Sequence, residues 1–431
     1  MKKIILFSII AFAPFFYQTA TAQTPLKDGV FSVFVKSIEV YKTGNPLNNP
    51  VIALLNNETL DVHFDVLGND IHDFRYELTL CDRYWNKSAL RTSEYLQQFG
   101  TQNFEQIDFS VNTNTNYVHY STTLPNENLK IRYSGNYLLQ VIDNENDEIL
   151  FQKRIIVIEQ LLKIGASVQR SDQVQFLDEY QEVLVTLFPL GFPIRNPFGD
   201  ISLQILQNHR WDNMVIAQKP SHITGDEIRY WQGSNLLFLG NSEFHQFNFK
   251  SFVYPGGVVR SILNTFKYNP QQRRYNIILY PNENRSYKAY VKTGDLNGKF
   301  TISHDFVEQA HTLADYADVI ITYAQPKSLY NNNDIYVIGD FSMWQPSDLY
   351  TMTYNEDLQQ YEASIFLKQG YYDYMLAEFD KKTAQFNSAE IEGSYYQTEN
   401  DYEIFVYFYD ISHTYDRVIG YQKLNSTRND N

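Results

Sequence analysis

The stretch LDVHFDVLGNDIHDFRYELTLCDRYWN, residues 60–86, decides the fold class. Residues 60–67 alternate between apolar and polar side chains, and residues 76–80 repeat the alternation. A period of two is typical of a strand with one buried face, because successive side chains of a strand point to opposite sides. The stretch therefore predicts two β-strands.

Composition favours the same class over the whole chain. The 431 residues include 34 Tyr, 30 Phe and 4 Trp, and aromatic residues fit the pleated, half-buried surface of a sheet. Hydrophobic residues make up 43% of the chain, which is enough for each domain to bury a core. The sequence predicts an all-β protein with three consecutive β-sandwich domains of the immunoglobulin-like type.

Alternating segments and turn signals set the expected domain boundaries. Residues 23–160 contain about seven short strands, as expected of an immunoglobulin-like sandwich. A middle β domain is predicted over residues 161–323. A C-terminal immunoglobulin-like sandwich, similar to the glycogen-binding type of early-set module, is predicted over residues 324–425. The polar tail, residues 426–431, is expected to fray.

The N-terminus has the pattern of a secretory signal peptide. Two lysines precede an apolar run over residues 4–16, and Ala20 to Ala22 are small residues suited to a signal peptidase. The apolar run is shorter than the roughly 20 residues that a membrane span needs. We expect cleavage after Ala22, so that residues 1–22 are removed. Because no cysteine lies near the cut, we expect an exported protein without a lipid anchor.

Net charge and cysteine content exclude several classes of protein. The formal net charge is −15, which argues against nucleic-acid binding, since that requires a cationic face to displace counterions. It also argues against docking on anionic lipid, and we expect no direct insertion into the membrane. A single cysteine cannot form an internal disulfide. We expect a monomer when the protein is free.

Cys81 raises the question of whether the chain is an enzyme. A cysteine nucleophile needs a lowered thiol pKa, from a paired histidine or a helix N-terminus. Cys81 lies at the end of a predicted strand, and a buried structural thiol is the favoured interpretation. The nine histidines show no spacing typical of a metal site. No catalytic residue, metal or cofactor is predicted.

Trp344 and Tyr374 permit two interpretations. They lie in phrases typical of starch- and glycogen-binding modules, in which exposed aromatic rings stack on sugars. The favoured alternative is that both rings belong to the core or the strand edges of the C-terminal sandwich.

Several phrases together resemble the plug proteins of the type IX secretion system of Bacteroidota. In the N-terminal part they are HFDVL (63–67), LCDRYWNKSAL (80–90), EYLQQF (94–99), FSVNTNTNYVHY (109–120), LPNENLK (124–130) and SGNYLLQV (134–141). Further along they include NPFGDISLQILQNHRWDN (196–213), ADYADVIITY (314–323), LKQGYYDYM (367–375) and YDRVIGYQKLNS (415–426). The resemblance covers nearly all of the expected mature chain.

The resemblance also assigns structural residues. Such proteins typically have His-Cys-Asp-x-Asp-Trp where this chain has Leu80, Cys81, Asp82, Arg83, Tyr84 and Trp85. The missing histidine and second acid argue against a metal or catalytic role for the motif. The residues expected to have structural roles are Cys81, Asp82, Trp85, Asn112, Tyr120, Ser134, Gly135, Asn136 and Tyr137.

What the resemblance implies is a non-enzymatic periplasmic protein. It would bind the periplasmic opening of the outer-membrane type IX translocon channel and seal the pore when no cargo occupies it. The resemblance assigns no contact residues to that interaction. The alternative is an exported carbohydrate-binding protein that uses its C-terminal domain.

Overall fold

Strands make up nearly all the regular structure of the chain, as the computed structural model shows. It describes residues 25–225, 227–231, 235–265, 274–305, 307–308, 310–327 and 333–427. The predicted all-β sandwich class is confirmed. The predicted signal peptide and residues 428–431 of the predicted tail lie outside the described residues. No helix in the described ranges is long and apolar enough to cross a membrane.

The first sandwich is formed by the N-terminal strands, and its core contains the inward residues of the quoted stretch, among them Val62, Phe64 and Leu78. One sheet has the order β1-β11-β10-β5, with β3 parallel to β11; the other has the order β2-β4-β8-β7, and β6 pairs with β9. The elements are β1 Gly29–Val30, β2 Val35–Lys42, β3 Val51–Ala53, β4 Leu60–Leu67, β5 Phe74–Cys81, α1 Thr92–Tyr95, β6 Leu96–Gln98, β7 Gln106–Phe109, β8 Tyr117–Leu124, β9 Leu129–Ile131, β10 Gly135–Asp143 and β11 Ile149–Ile158.

The remaining strands form two further sandwiches. Those up to residue 264 are β12 Lys163–Arg170, β13 Tyr180–Phe188, β14 Ile201–Gln207, β15 Val215–Ala217, β16 His222–Thr224, β17 Glu227–Tyr230, β18 Leu237–Leu239, β19 His245–Asn248 and β20 Val259–Asn264. The later elements are β21 Tyr275–Leu279, β22 Phe300–His304, β23 Val307–Glu308, β24 Tyr316–Tyr323, β25 Ile335–Ile338, β26 Thr353–Asn355, β27 Gln360–Lys368, β28 Gly370–Asp380, β29 Gln385–Asn387, α2 Ala389–Glu392, β30 Asp401–Asp410 and β31 Tyr415–Asn425. Short 3₁₀ turns occupy Val174–Phe176, Asp340–Ser342 and Asp348–Tyr350.

The second sandwich combines strands that precede the third sandwich in the chain with strands that follow it. One sheet has the order β12-β13-β17-β16, with β18 also paired to β13, and the other has the order β15-β14-β30-β31. Its core joins residues such as Val185 and Leu203 to Tyr402 and Val406 from the C-terminal strands. The second sandwich is therefore closed only when the end of the chain returns to it.

The third sandwich is inserted between β18 and β30. One sheet has the order β20-β21-β24-β27-β26, in which β21 and β24 are parallel. The other is built on the long strand β28, which pairs with β19, β22, β25 and β29, while β23 extends β22. The residues between the two sheets form one core, which includes Phe249, Val319 and Leu376.

This topology corrects the predicted boundary between residues 323 and 324. β24, which ends at Tyr323, pairs along its whole length with β27, and β14 pairs along its whole length with β30. The segments predicted as a middle domain (161–323) and a C-terminal domain (324–425) thus each contribute strands to two sandwiches. Alternation reveals which residues form strands and which face they bury, but not which strand is the partner.

Candidate functional site

Cys81 lies at the end of β5, where it pairs with Asn136 of β10. Its side chain is 2% exposed, and its Sγ lies 3.6 Å from the carbonyl oxygen of Thr79. Burial, with a smaller effect from the charge of Asp82, raises the pKa of the thiol to about 12. A thiol with this pKa is protonated at neutral pH, so it lacks the thiolate that nucleophilic attack requires.

Asp82 organises the turn that follows β5. Its carboxylate accepts the backbone N–H of Tyr84 at 2.8 Å and that of Asn86 at 2.9 Å. Within this turn Trp85 has a φ of +66°, in the left-handed region that few residues other than glycine adopt. The turn directs the Trp85 side chain away from solvent, and it is 2% exposed.

Arg83 joins the first sandwich to the second. Its backbone N–H and its Nε donate to the two oxygens of Asp416, at 2.9 and 2.7 Å. Its Nη1 donates to the hydroxyl of Ser202 at 2.8 Å. The Arg83 and Asp416 side chains are only 11% and 8% exposed, so the pair is a buried ion pair between β31 and the loop after β5.

Arg154 lies between two tryptophan rings at the same place. Its guanidinium carbon is 5.0 Å from the ring centre of Trp85 and 5.0 Å from that of Trp211. The two rings meet edge to face, with centres 4.9 Å apart. We call this contact the first joint. Its buried apolar residues are Val51, Cys81, Trp85, Leu138, Ile156 and Ile158 from the first sandwich and Leu206, Phe405, Tyr407 and Val418 from the second.

Gly135 and Asn136 complete the first joint. Gly135 has a φ of +145°, and an added Cβ would lie 3.0 Å from Leu80 Cδ1. The Asn136 Nδ2 donates to the carbonyl of Asp82 at 3.0 Å, and its Oδ1 accepts the hydroxyl of Tyr407 at 2.7 Å. One side chain thereby ties β10 to the turn at Asp82 and to β30.

Of the other residues expected to be structural, three are buried and one is exposed. Ser134 is buried and donates to a carboxylate oxygen at 2.6 Å, and the Tyr137 hydroxyl donates to the carbonyl four residues earlier at 2.8 Å. Tyr120 is buried in the first core. Asn112 is exposed in a loop and has a φ of +59°.

Asp65 is the centre of a second joint, between the first and third sandwiches. It lies on β4 with 0% exposure, and its Oδ1 is 2.7 Å from Nδ1 of His119 on β8. Its Oδ2 accepts hydrogen bonds from Lys368 Nζ at 2.5 Å and from the Tyr316 hydroxyl at 2.6 Å. Lys368 and Tyr316 are paired residues of β27 and β24. The carboxylate has partners on both oxygens, which a buried charge requires.

The charges at the second joint are mutually compensated. Burial would raise the pKa of Asp65, but the charge of Lys368 and the contact with His119 outweigh it and hold that pKa below its ordinary value. Burial lowers the pKa of Lys368 against the opposing charges of Asp65 and Glu39. Lys368 Nζ also lies 4.1 Å from the ring centre of Tyr117. Removing either member of the Asp65–Lys368 pair would leave the other charge buried without its partner.

Two further histidines and an acid lie beside Asp65. The rings of His63 and His311 stack with centres 4.3 Å apart, and His311 Nδ1 is 3.4 Å from Oε2 of Glu39. Burial, followed by the neighbouring histidines, lowers the pKa of His63 to about 3 and that of His311 to about 2. Burial raises the pKa of Glu39 to about 8.

Sequence reasoning missed this joint. Alternation in LDVHFDVL places His63 and Asp65 on the face opposite Phe64, which is the pattern of a strand with one solvated side. In the structure the third sandwich covers that face. The partners of Asp65 lie between 54 and 303 positions away from it in the chain, so no local motif connects them. The one sequence signal that could have pointed to the second joint was Asp65, within the phrase HFDVL.

Trp344 and Tyr374 are both buried, with exposures of 4% and 3%. The Trp344 ring lies under the guanidinium of Arg210, at 4.8 Å. The Tyr374 hydroxyl donates to Asn282 Oδ1 at 3.0 Å. Neither ring presents a face to solvent, so the alternative in which they stack on a sugar is contradicted, and the interpretation as core residues is the one the structure supports.

Comparison with known proteins places the chain in a family. The family model described as the type 9 secretion system plug protein 1st domain matches residues 35–159. The chain belongs to the type IX secretion plug family. The matched segment of this plug-family protein spans most of the first sandwich and contributes residues to both joints. No protein with a curated description matches the chain.

One solved structure resembles the plug-family chain over nearly its full length. It is the crystal structure of a hypothetical protein from Parabacteroides merdae ATCC 43184, with 30% sequence identity and a TM-score of 0.88. The match covers 94% of this chain and 100% of that one. The C-terminal domain of the AgI/II polypeptide BspA from Streptococcus agalactiae aligns over 90% of this chain and 96% of its own, but with 8% identity and a TM-score of 0.16 it supports no conclusion.

Proposed function

We propose that this protein is a non-enzymatic periplasmic plug. It binds the periplasmic opening of the outer-membrane type IX translocon channel and seals the pore when no cargo occupies it. The match of the plug-family model to residues 35–159 carries this proposal. The remaining support is physical: an object that blocks a pore wide enough for folded cargo has to be bulky and stiff.

The arrangement of the three sandwiches supports a stiff body. The first joint connects the first and second sandwiches, the second joint connects the first and third, and the third is linked to the second by chain at both its ends. Lys153, His209 and Asp340, one from each sandwich, line a single small cavity of about 20 Å³. Because each sandwich contacts the other two, a hinge at any one joint would require breaking another.

An exposed apolar strip offers a surface for the channel. Val30, Phe31, Val33 and Phe34 are 44%, 60%, 67% and 61% exposed, although they lie within five consecutive residues. Contiguous exposed apolar residues commonly mark a protein–protein contact. We assign part of the contact with the channel to this strip, since aromatic residues dominate the binding energy of such interfaces.

Affinity capture from detergent-solubilised envelopes tests the proposal. The tagged wild-type protein is expected to recover the outer-membrane translocon, and cells that lack the protein are expected to admit large antibiotics. The double variant Phe31→Asp/Phe34→Asp should recover less of the channel. Ile411→Asp is the matched control, because Ile411 is 76% exposed in a turn of the second sandwich.

The outcomes separate the two parts of the proposal. Recovery of the wild-type protein only as a free monomer, together with a deletion strain no leakier than its parent, would refute the plug function. Equal recovery of the channel by the double variant and by the control would refute the assignment of the strip while leaving the plug function intact.

A further inference from the structure

His63, His119 and His311 bring three imidazoles together on the second joint. One ligand nitrogen of each lies within 4.8 Å of those of the other two, and His63 Nδ1 is 3.2 Å from His119 Nε2. His63 and His119 belong to β4 and β8 of the first sandwich. His311 belongs to the loop before β24 of the third. The cluster therefore spans the contact between two sandwiches.

These distances are close to those of a metal site. Zinc–nitrogen bonds of about 2.0–2.1 Å in tetrahedral geometry place ligand nitrogens about 3.3 Å apart. The pair formed by His63 and His119 already meets that separation. A shift of about 1.5 Å or less would bring the His311 nitrogen into range.

A carboxylate orients one of the three rings as it does in metalloproteins, and a second carboxylate lies close to another ring. A metal-ligating histidine commonly donates its other ring N–H to a carboxylate, which fixes the ring and its tautomer. Asp65 Oδ1 holds the Nδ1 of His119 at 2.7 Å and leaves its Nε2 facing His63. Glu39 Oε2 stands 3.4 Å from the Nδ1 of His311 and leaves the other nitrogen of that ring available.

Glu39 is an independent sign that a cation belongs here. The residue is 5% exposed, and its Oε2 is a buried oxygen without a hydrogen-bond partner among the described residues. A buried carboxylate oxygen without a hydrogen bond lowers the stability of the folded protein. Lys368, the nearby cation, is already bound to Asp65. A metal ion on the adjacent histidines would place a positive charge beside this oxygen.

We propose that His63, His119 and His311 bind one divalent transition-metal ion of the zinc class, which clamps the first sandwich to the third. Imidazole ligands select zinc, copper and nickel over magnesium or calcium. The metal takes the place of the proton between His63 and His119, and that proton moves to the other nitrogen of its own ring, so that both imidazoles stay neutral and each offers a lone pair. The His311 side chain is 15% exposed, so an ion can enter and water can occupy a fourth position. This inference does not depend on the plug function.

Metal titration of the purified, metal-free full-length protein tests the site. Calorimetry is expected to give one equivalent of bound Zn²⁺, and Co²⁺ is expected to give the visible absorption of a tetrahedral complex. His63→Ala and His311→Ala should each weaken Zn²⁺ binding by more than about tenfold. His222→Ala is the control, since His222 is exposed on β16 of the second sandwich, away from the cluster.

Glu39→Gln keeps all three ligands and tests the acid beside His311. It should weaken Zn²⁺ binding by about 10–100-fold. Zn²⁺ should also raise the melting temperature of the wild-type protein and of His222→Ala, but not that of His311→Ala. Absence of a Co²⁺ spectrum, or Zn²⁺ binding unchanged in both His63→Ala and His311→Ala with their folds retained, would overturn the proposal.

Discussion

The buried pair of Arg83 and Asp416 predicts a large and specific loss of stability. In Arg83→Met the Asp416 carboxylate stays buried and loses the guanidinium, keeping one backbone N–H as a donor. Breaking a buried ion pair from one side costs about 3–5 kcal/mol. We expect the free energy of unfolding to fall by that amount, because both side chains are largely buried, at 11% and 8% exposure.

The double variant separates the pair from its surroundings. Asp416→Asn alone should also destabilise the protein, because the buried guanidinium of Arg83 then has no carboxylate partner. In Arg83→Met/Asp416→Asn neither member of this pair carries a charge. Its loss of stability should be smaller than the sum of the two single losses by about 2 kcal/mol, a coupling typical of residues in contact.

Urea unfolding followed by tryptophan fluorescence is the assay. Trp85 and Trp211, two of the four tryptophans, lie at this joint, so part of the emission reports its opening. Lys381→Met is the control, because its pair with Asp334 has side chains 77% and 49% exposed and should contribute only about 0–1 kcal/mol. If Arg83→Met cost no more than this control, or if the double variant equalled the sum of the singles, the ion pair would not hold the joint.

Three further predictions concern the thiol, an acid and a glycine. Cys81, with its pKa raised by burial to about 12, should react with a thiol reagent at neutral pH at least about tenfold more slowly in the native protein than in urea; equal rates would contradict its burial. Burial alone would raise the pKa of Glu403, but the hydrogen-bonded His209 outweighs it and lowers that pKa from 4.5 to about 2. Its contribution to stability is therefore present above pH 4.5 and is lost as the pH falls towards 2. Glu403→Gln should flatten the acid side of the curve of melting temperature against pH, and an unchanged acid side would refute the assignment. Gly135→Ala should cost about 1–3 kcal/mol in urea unfolding. Gly44→Ala, at a φ of +106° with no atom within 4 Å of the added Cβ, should cost less, and an equal loss would show that the contact at Gly135 is unimportant.

Much of the local structure follows from the sequence. Alternation in residues 60–67 and 76–80 corresponds to β4 and to most of β5, and the apolar members of both runs lie in the first core. Strand formation is predictable here because burying one face of a strand needs only a period of two and suitable side chains. The position of Cys81 at the end of a strand could likewise be predicted, and β5 ends at that residue.

Which strands pair with one another could not be predicted from the sequence in this way. β14 has the sequence ISLQILQ, whose alternation is typical of a half-solvated strand, yet all seven of its residues are buried. One face lies in the second core and the other in the first joint, where Gln204 donates to the carbonyl of Arg83. Backbone hydrogen bonds do not distinguish one partner strand from another, so the pairing of β30 with β14 has no local signal in the sequence.

The polar residues of both joints come from the same sequence pattern. His63, Asp65 and Gln204 all occupy polar positions of alternating strands, on faces that a second sandwich covers. A polar side chain covered in this way needs a specific partner, because an unpaired buried group costs about 1–3 kcal/mol or more.

Sliding one sandwich over another would break several such pairs at once. A purely apolar contact would tolerate the same shift at lower cost, because dispersion and hydrophobic burial are not directional. Asp65, held by partners from both the first and third sandwiches, is the clearest case of a contact that permits one register only. The polar pairs at the joints therefore favour one fixed arrangement of the three sandwiches, which is the physical property that a plug requires.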